Sequence, residues 1–180
     1  MRRMLLPRHF ESRVPVAAPV DVLFSYLDDH RRVSAHMSQS SWMMAGSRMT
    51  TELDASEGRA VGASIRLKGR VCGIRLSVEE VVTERVPPWR KVWHTTGTPR
   101  LLVMGHYRMG YEIAPRDGTS LLRVFIDYAL PVAGPARWLG RLLGDFYARW
   151  CTQRMADDAA THFRRAAGRG AAGGRALSPA

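Results

Sequence analysis

Near its C-terminal end the chain carries an apolar stripe long enough to dictate what the rest must do. Trp138/Leu139, Leu142/Leu143, Phe146/Tyr147, Trp150/Cys151, Met155, Ala159 and Phe163 recur at the helical period, a pattern that defines one face of a helix of about seven turns. Gly134-Pro135 opens it, arginines 137, 141, 149 and 154 line its flanks, and Gly168 is placed to stop it. The expectation is one continuous helix over 136–165, buried from Trp138 to Phe163. A face of that length needs an apolar partner surface of similar extent.

The middle of the chain supplies it. His9–Val16 alternates and reads as a first strand, with Pro15 keeping it near an edge. Ala18-Pro19 then opens a short helix whose Val20, Leu23, Phe24 and Leu27 share one face, and a second short helix runs to about Met37. Six alternating runs follow: Arg48–Ala55, Val61–Lys68, Ile74–Glu84, Lys91–Thr96, Leu101–Ala114 and Ser120–Leu130. Asp117-Gly118 between the last two is a hairpin signal, and Pro87-Pro88 ends the third because neither residue can donate to a ladder. A meander of this kind pairs antiparallel. The fold class is therefore α+β: a sheet of about seven antiparallel strands wrapped around the long helix.

Composition narrows the function classes. The 180 residues are 46% hydrophobic and 24% charged, the profile of a globular chain. No run approaches the ~20 apolar residues of a membrane span. The basic N-terminus has no apolar core to follow it, so a cytoplasmic location is expected. Cys72 and Cys151 are not expected to pair, and their spacing suits no metal site. The net charge is +11, but three arginines in 1–8 and four in 164–180, with no acid in either stretch, account for seven of it. The body is left only mildly basic, which argues against a specific nucleic-acid site. The division expected is a basic arm at 1–8, a ligand-binding domain at 9–167 and a flexible Gly/Ala/Arg tail at 168–180.

Two stretches then point to a family. Val16-Ala17-Ala18-Pro19 through Phe24, Leu27 and Asp29 resembles the opening of START-like (SRPBCC) domains, and Val81-Val82-Thr83-Glu84-Arg85-Val86-Pro87-Pro88 through Trp93 and Gly97 is similar to their mid-sheet hairpin. The resemblance, to the polyketide cyclase/dehydrase and lipid-transport branch, implies a helix-grip fold with an internal apolar pocket. It implies a small hydrophobic ligand of polyketide, lipid or quinone type, carried or acted upon. Rieske-type cysteine–histidine pairs and an iron-binding His/carboxylate cluster are missing, which excludes the oxygenase branch. No cofactor and no metal are expected; the chain is read as monomer or homodimer.

Strand parity nominates the pocket wall. Tyr107, Met109 and Tyr111 share one face of their strand, Val124, Ile126 and Tyr128 one face of the next, and Leu139, Leu143 and Tyr147 meet them from the helix. Arg108, Glu112, Arg123 and Asp127 fall on the opposite face as a charge ladder. Glu80 follows Leu76 and Val78 inward, where a carboxylate is either paired or becomes a proton donor or base; a bulge would instead place it in solvent. His94, in phase with Val92, is expected beside it. Both are catalytic candidates: a buried Glu80–His94 contact would favour chemistry, a wholly apolar pocket carriage. The methionine-rich stretch 37–49 reads either as a pliant lid or as a loop packed on the helix.

Overall fold

The computed structural model describes residues 5–34, 49–71, 73–132 and 135–174. The first strand, β1 (Arg8–Val16), leads into two short helices, α1 (Val20–Asp28) and α2 (His30–Val33). Six strands follow: β2 (Met49–Leu53), β3 (Ser64–Val71), β4 (Ile74–Val86), β5 (Arg90–Arg100), β6 (Tyr107–Arg116) and β7 (Thr119–Tyr128). The long helix α3 (Pro135–Gly174) closes the chain. The strands form one antiparallel sheet in the order β1-β7-β6-β5-β4-β3-β2. The chain thus has the α+β helix-grip architecture that its patterning predicts.

Parity holds for most of the sheet. Tyr107, Met109, Tyr111 and Ile113 face Leu122, Val124, Ile126 and Tyr128 across a regular ladder, and all eight are buried. The hairpin between them turns through Asp117 and Gly118, both with positive φ (33° and 73°), the backbone a two-residue loop requires. On the outer face Arg123 reaches Glu112 at 2.7 Å and Arg108 reaches Asp127 at 3.4 Å, so the ladder forms as expected. Phe125 is buried there too, beneath the guanidinium groups of Arg90, Arg108 and Arg123. Gly110 lies under that cluster: a Cβ would come within 2.6 Å of the Lys91 carbonyl and 2.9 Å of the Phe125 ring. Close approach explains this glycine; the register between β4 and β5 shifts twice, with extra residues on β5 opposite Ser77 and Glu79 and one extra on β4 between Val82 and Glu84. Val61 and Ile74, which open two of the alternating runs, are exposed because each sits where its strand has not yet joined the ladder or is only starting.

The long helix departs from expectation in two ways. It packs on β1 and β7 through Ala148, Cys151, Thr152, Met155, Ala156 and Ala159, with Ser12 Oγ donating to Thr152 Oγ1 at 3.1 Å. Gly140 and Gly144 continue that inward face, so Trp138, Leu142, Leu143 and Phe146 are exposed and the buried stripe does not reach Trp138. The helix also runs through Gly168 to Gly174. A Cβ at Gly168 would touch nothing within 4 Å, and the alanines around it sustain the helix where no capping contact competes. At the other end, the arm ends sooner than expected: Arg8 belongs to β1, pairs with Tyr128 in register and holds Asp145 of α3. Residues 164–169 are exposed. Deleting 169–180 should therefore shift unfolding free energy by less than about 0.5 kcal/mol; a larger loss in a denaturant titration would show that this end docks.

Candidate functional site

Three elements converge on Glu80. β4 places it opposite Ile65 on β3 and Thr95 on β5, and both neighbours are buried on the concave face. The bulges on either side leave this register intact, so Glu80 points inward and is 2% exposed. Tyr107 on β6 donates its hydroxyl to Glu80 Oε1. His30 opens α2, and its Nε2 lies 3.4 Å from Glu80 Oε2. Neither Glu80 Oε2 nor His30 Nδ1 has a hydrogen-bond partner, and both are sealed from solvent. Burial, then the charge of Glu80, push the Tyr107 hydroxyl well above the usual phenol range. Tyr107 is thus a fixed donor, and Glu80 keeps one acceptor oxygen open.

The wall around this group is aromatic. Trp93 meets His30 edge-to-face at 5.1 Å and Tyr111 at 6.4 Å, and Phe24 of α1 meets Tyr111 at 6.0 Å. The Tyr111 hydroxyl is buried without a partner, and burial raises its pKa well above the ordinary value. From α3, Tyr147 and Cys151 come within electrostatic reach of Tyr107. Burial pushes the Cys151 thiol up to about 12, so it is a packing group and not a nucleophile.

Beneath α1 a second polar group fixes the helices that carry His30. Lys91 on β5 is fully buried and donates to Asp28 twice, to its backbone oxygen at 2.8 Å and to Oδ1 at 2.9 Å. Arg85 on β4 adds a bond to Asp28 Oδ2 at 2.8 Å. Burial lowers the Lys91 ammonium despite Asp28. Asp29 caps α2 by accepting from the Arg31 amide at 3.1 Å, which starts the helix at His30.

His94 stands elsewhere. It pairs with Arg108 and Val81 on the outer face, away from Glu80. Its phase was anchored on Val92, which is buried on the outer side against Gly110 and beneath Phe125. The histidine that does meet Glu80 is His30, which composition hides in a charged run. Its position three residues after Leu27 and seven after Leu23 is the signal that would have found it. Met109, Val124, Ile126 and Tyr128 are buried on the concave face; Tyr128 donates to Asp145. Leu139, Leu143 and Tyr147 stand one above another on a flank of α3, half-buried except for the more exposed Leu143. Of the methionine-rich stretch, residues 37–48 lie outside the described residues, and Met49 is buried at the start of β2. Among the described residues no group of three or more His, Cys, Asp or Glu could hold a metal ion.

A sheet folded around one long helix, with a polar group sealed on its concave side, defines a helix-grip protein. The model of the family described as polyketide cyclase / dehydrase and lipid transport matches residues 7–168, and the chain belongs to that family. Among solved structures, the Zhui aromatase/cyclase from Streptomyces sp. R1128 is similar at 18% identity, with a TM-score of 0.62 over 88% of this chain and 94% of that one. A Thermobifida fusca protein shows 19% identity and a TM-score of 0.57 over 87% and 93%. Ginseng major latex-like protein 151 from Panax ginseng shows 14% and 0.53 over 88% and 98%. These likenesses establish the fold. No curated protein matches the chain.

Proposed function

We propose that the chain binds and carries a small hydrophobic molecule between α3 and the concave face of the sheet, with the molecule's polar end held at Glu80. The observation that carries this reading is the open Oε2 of Glu80, sealed among Trp93, His30 and Tyr107. His30 Nε2 stands 3.4 Å from that oxygen but no hydrogen bond reaches it; a buried acceptor without a hydrogen bond is costly, and a hydroxyl on a flat apolar ligand would supply one. Family membership supports a hydrophobic ligand in general. The apolar strand residues and the Leu139/Leu143/Tyr147 row would supply the surrounding surface, as pockets of this kind are mostly apolar with few polar anchors.

One observation favours a second reading, an enzyme of the cyclase/dehydrase kind. Glu80 is bonded to Tyr107 and stands 3.4 Å from His30, so an acid/base group and a fixed hydroxyl donor share one buried spot. The interior is therefore not wholly apolar, and the partner histidine is His30 in place of His94.

Glu80→Gln separates the two. With 1-naphthol as a hydroxyl-bearing probe and 1-methoxynaphthalene as its ether, the substitution should weaken the naphthol by about tenfold, the worth of a hydrogen bond to a charged acceptor. The ether should change less than about twofold. Equal effects on both, measured by fluorescence titration, would remove Glu80 as the anchor. In an enzyme the same substitution would cut turnover by about a hundredfold or more with affinity nearly kept.

A further inference from the structure

The outward face of α3 carries an apolar row of its own. Trp138, Leu142 and Phe146 are spaced by four residues, and they are 66%, 60% and 48% exposed. Leu143 (45%) borders them, and Val132 (87%) precedes the helix. The close packing of Gly140 and Gly144 on Pro131, Leu130 and the Val103 carbonyl sets the opposite side of this half of the helix, with Trp138 and Leu142, toward solvent, while Phe146 is only half-exposed. Arg141 borders the row on one side, and Arg137 stands in the first turn, in line with Gly144; both are exposed, and neither has an acidic partner among the described residues. The one acid in this half, Asp145, is engaged by Arg8 and Tyr128.

We propose that this face docks the protein on an anionic lipid surface. A helix bearing Trp, Leu and Phe on one side with arginines beside them lies in the headgroup boundary, the rings and branched chains reaching the acyl region and the guanidinium groups meeting phosphates. No helix among the described residues is long and apolar enough to cross a membrane, so the contact is peripheral. A second copy of the chain is a poorer occupant. A two-fold contact through this row would bury Arg141 of both copies with no unengaged acid in this half of the helix to meet it, whereas anionic headgroups complement it. The docked face lies on the same half of α3 as the Leu139/Leu143/Tyr147 row, so a hydrophobic ligand leaving or entering at that end would meet lipid and not bulk water.

Flotation of the full-length chain with vesicles tests this without reference to any ligand. The protein should float with phosphatidylcholine vesicles that contain phosphatidylglycerol, stay behind with phosphatidylcholine alone, and be released as salt is raised. Arg137→Glu with Arg141→Glu should lower partitioning by about tenfold or more. Trp138→Ser with Leu142→Ser should do the same by about tenfold or more through lost apolar burial. All four positions are solvent-facing, and an unchanged melting temperature shows that the fold is kept. Absence of flotation with anionic vesicles overturns the proposal. So does a dimer in sedimentation that these substitutions dissociate while vesicle binding is unaffected.

Discussion

Asp28→Ala should cost the fold about 3–5 kcal/mol in a denaturant titration at neutral pH, the loss expected when one partner of a buried ion pair is removed. The Lys91 ammonium has no exposed surface, and both its hydrogen bonds go to Asp28. Without the carboxylate it keeps only the backbone oxygen, and Arg85 loses its bidentate acceptor. The effect should also depend on pH. Burial pushes the Asp28 carboxyl up, but the hydrogen bonds from Arg85 and Lys91 more than offset it and hold it below the usual range. A carboxyl whose folded pKa is depressed stabilises fully above its unfolded value of about 3.9 and loses that contribution as pH falls through the folded value. The gap between wild type and Asp28→Ala should therefore shrink below about pH 4. A gap that is small at pH 7, or independent of pH, would show that the triad does not hold α1 to the sheet.

Trp93→Ala should be of similar size, about 3–5 kcal/mol, because it empties a large, fully packed site. The indole is 2% exposed and stands between His30 and Tyr111. Its removal should also free the His30 ring, so the substitution ought to weaken naphthol binding even where the protein is still folded. Urea titration with binding measured below the transition separates the two effects. A loss under about 1 kcal/mol would mean that neighbouring side chains collapse into the space.

The strands and the polar group they surround differ in how far the sequence discloses them. The sheet was readable because β6 and β7 alternate without interruption from Tyr107 to Tyr128, and an alternation of that length admits one register. Glu80 was readable to the extent that it follows Leu76 and Val78. Whether a bulge intervened was not readable, since bulges come from backbone geometry; here the extra residues fall on β5 before Glu80 and on β4 only after Val82, so the phase from Val78 holds. His94 failed because burial has two sides. Val92 is buried by the Phe125 cluster on the convex face, and a phase taken from it carries His94 outward. Lys91 was hidden for a related reason: a lysine in an alternating strand reads as solvent-facing until its partner, Asp28, more than sixty residues earlier, is brought beneath it. On α3 the stripe was legible but its direction was not. The period identifies a face, while the choice between that face and the small residues beside it depends on what lies opposite.

That choice rests with Gly140 and Gly144. A Cβ at the first would meet Pro131 at 2.7 Å and the Val103 carbonyl at 3.0 Å; at the second it would meet Leu130 at 3.1 Å and the same carbonyl at 3.2 Å. Two absent methyl groups therefore act as the spacer of the molecule, setting how low the near end of α3 sits over the strands. Substituting them would lever that end upward while leaving every inward side chain in place. Under the proposed carriage of a hydrophobic molecule, capacity and chemistry would be controlled at separate addresses: the size admitted could drift at the spacer while the polar group at Glu80 stayed untouched.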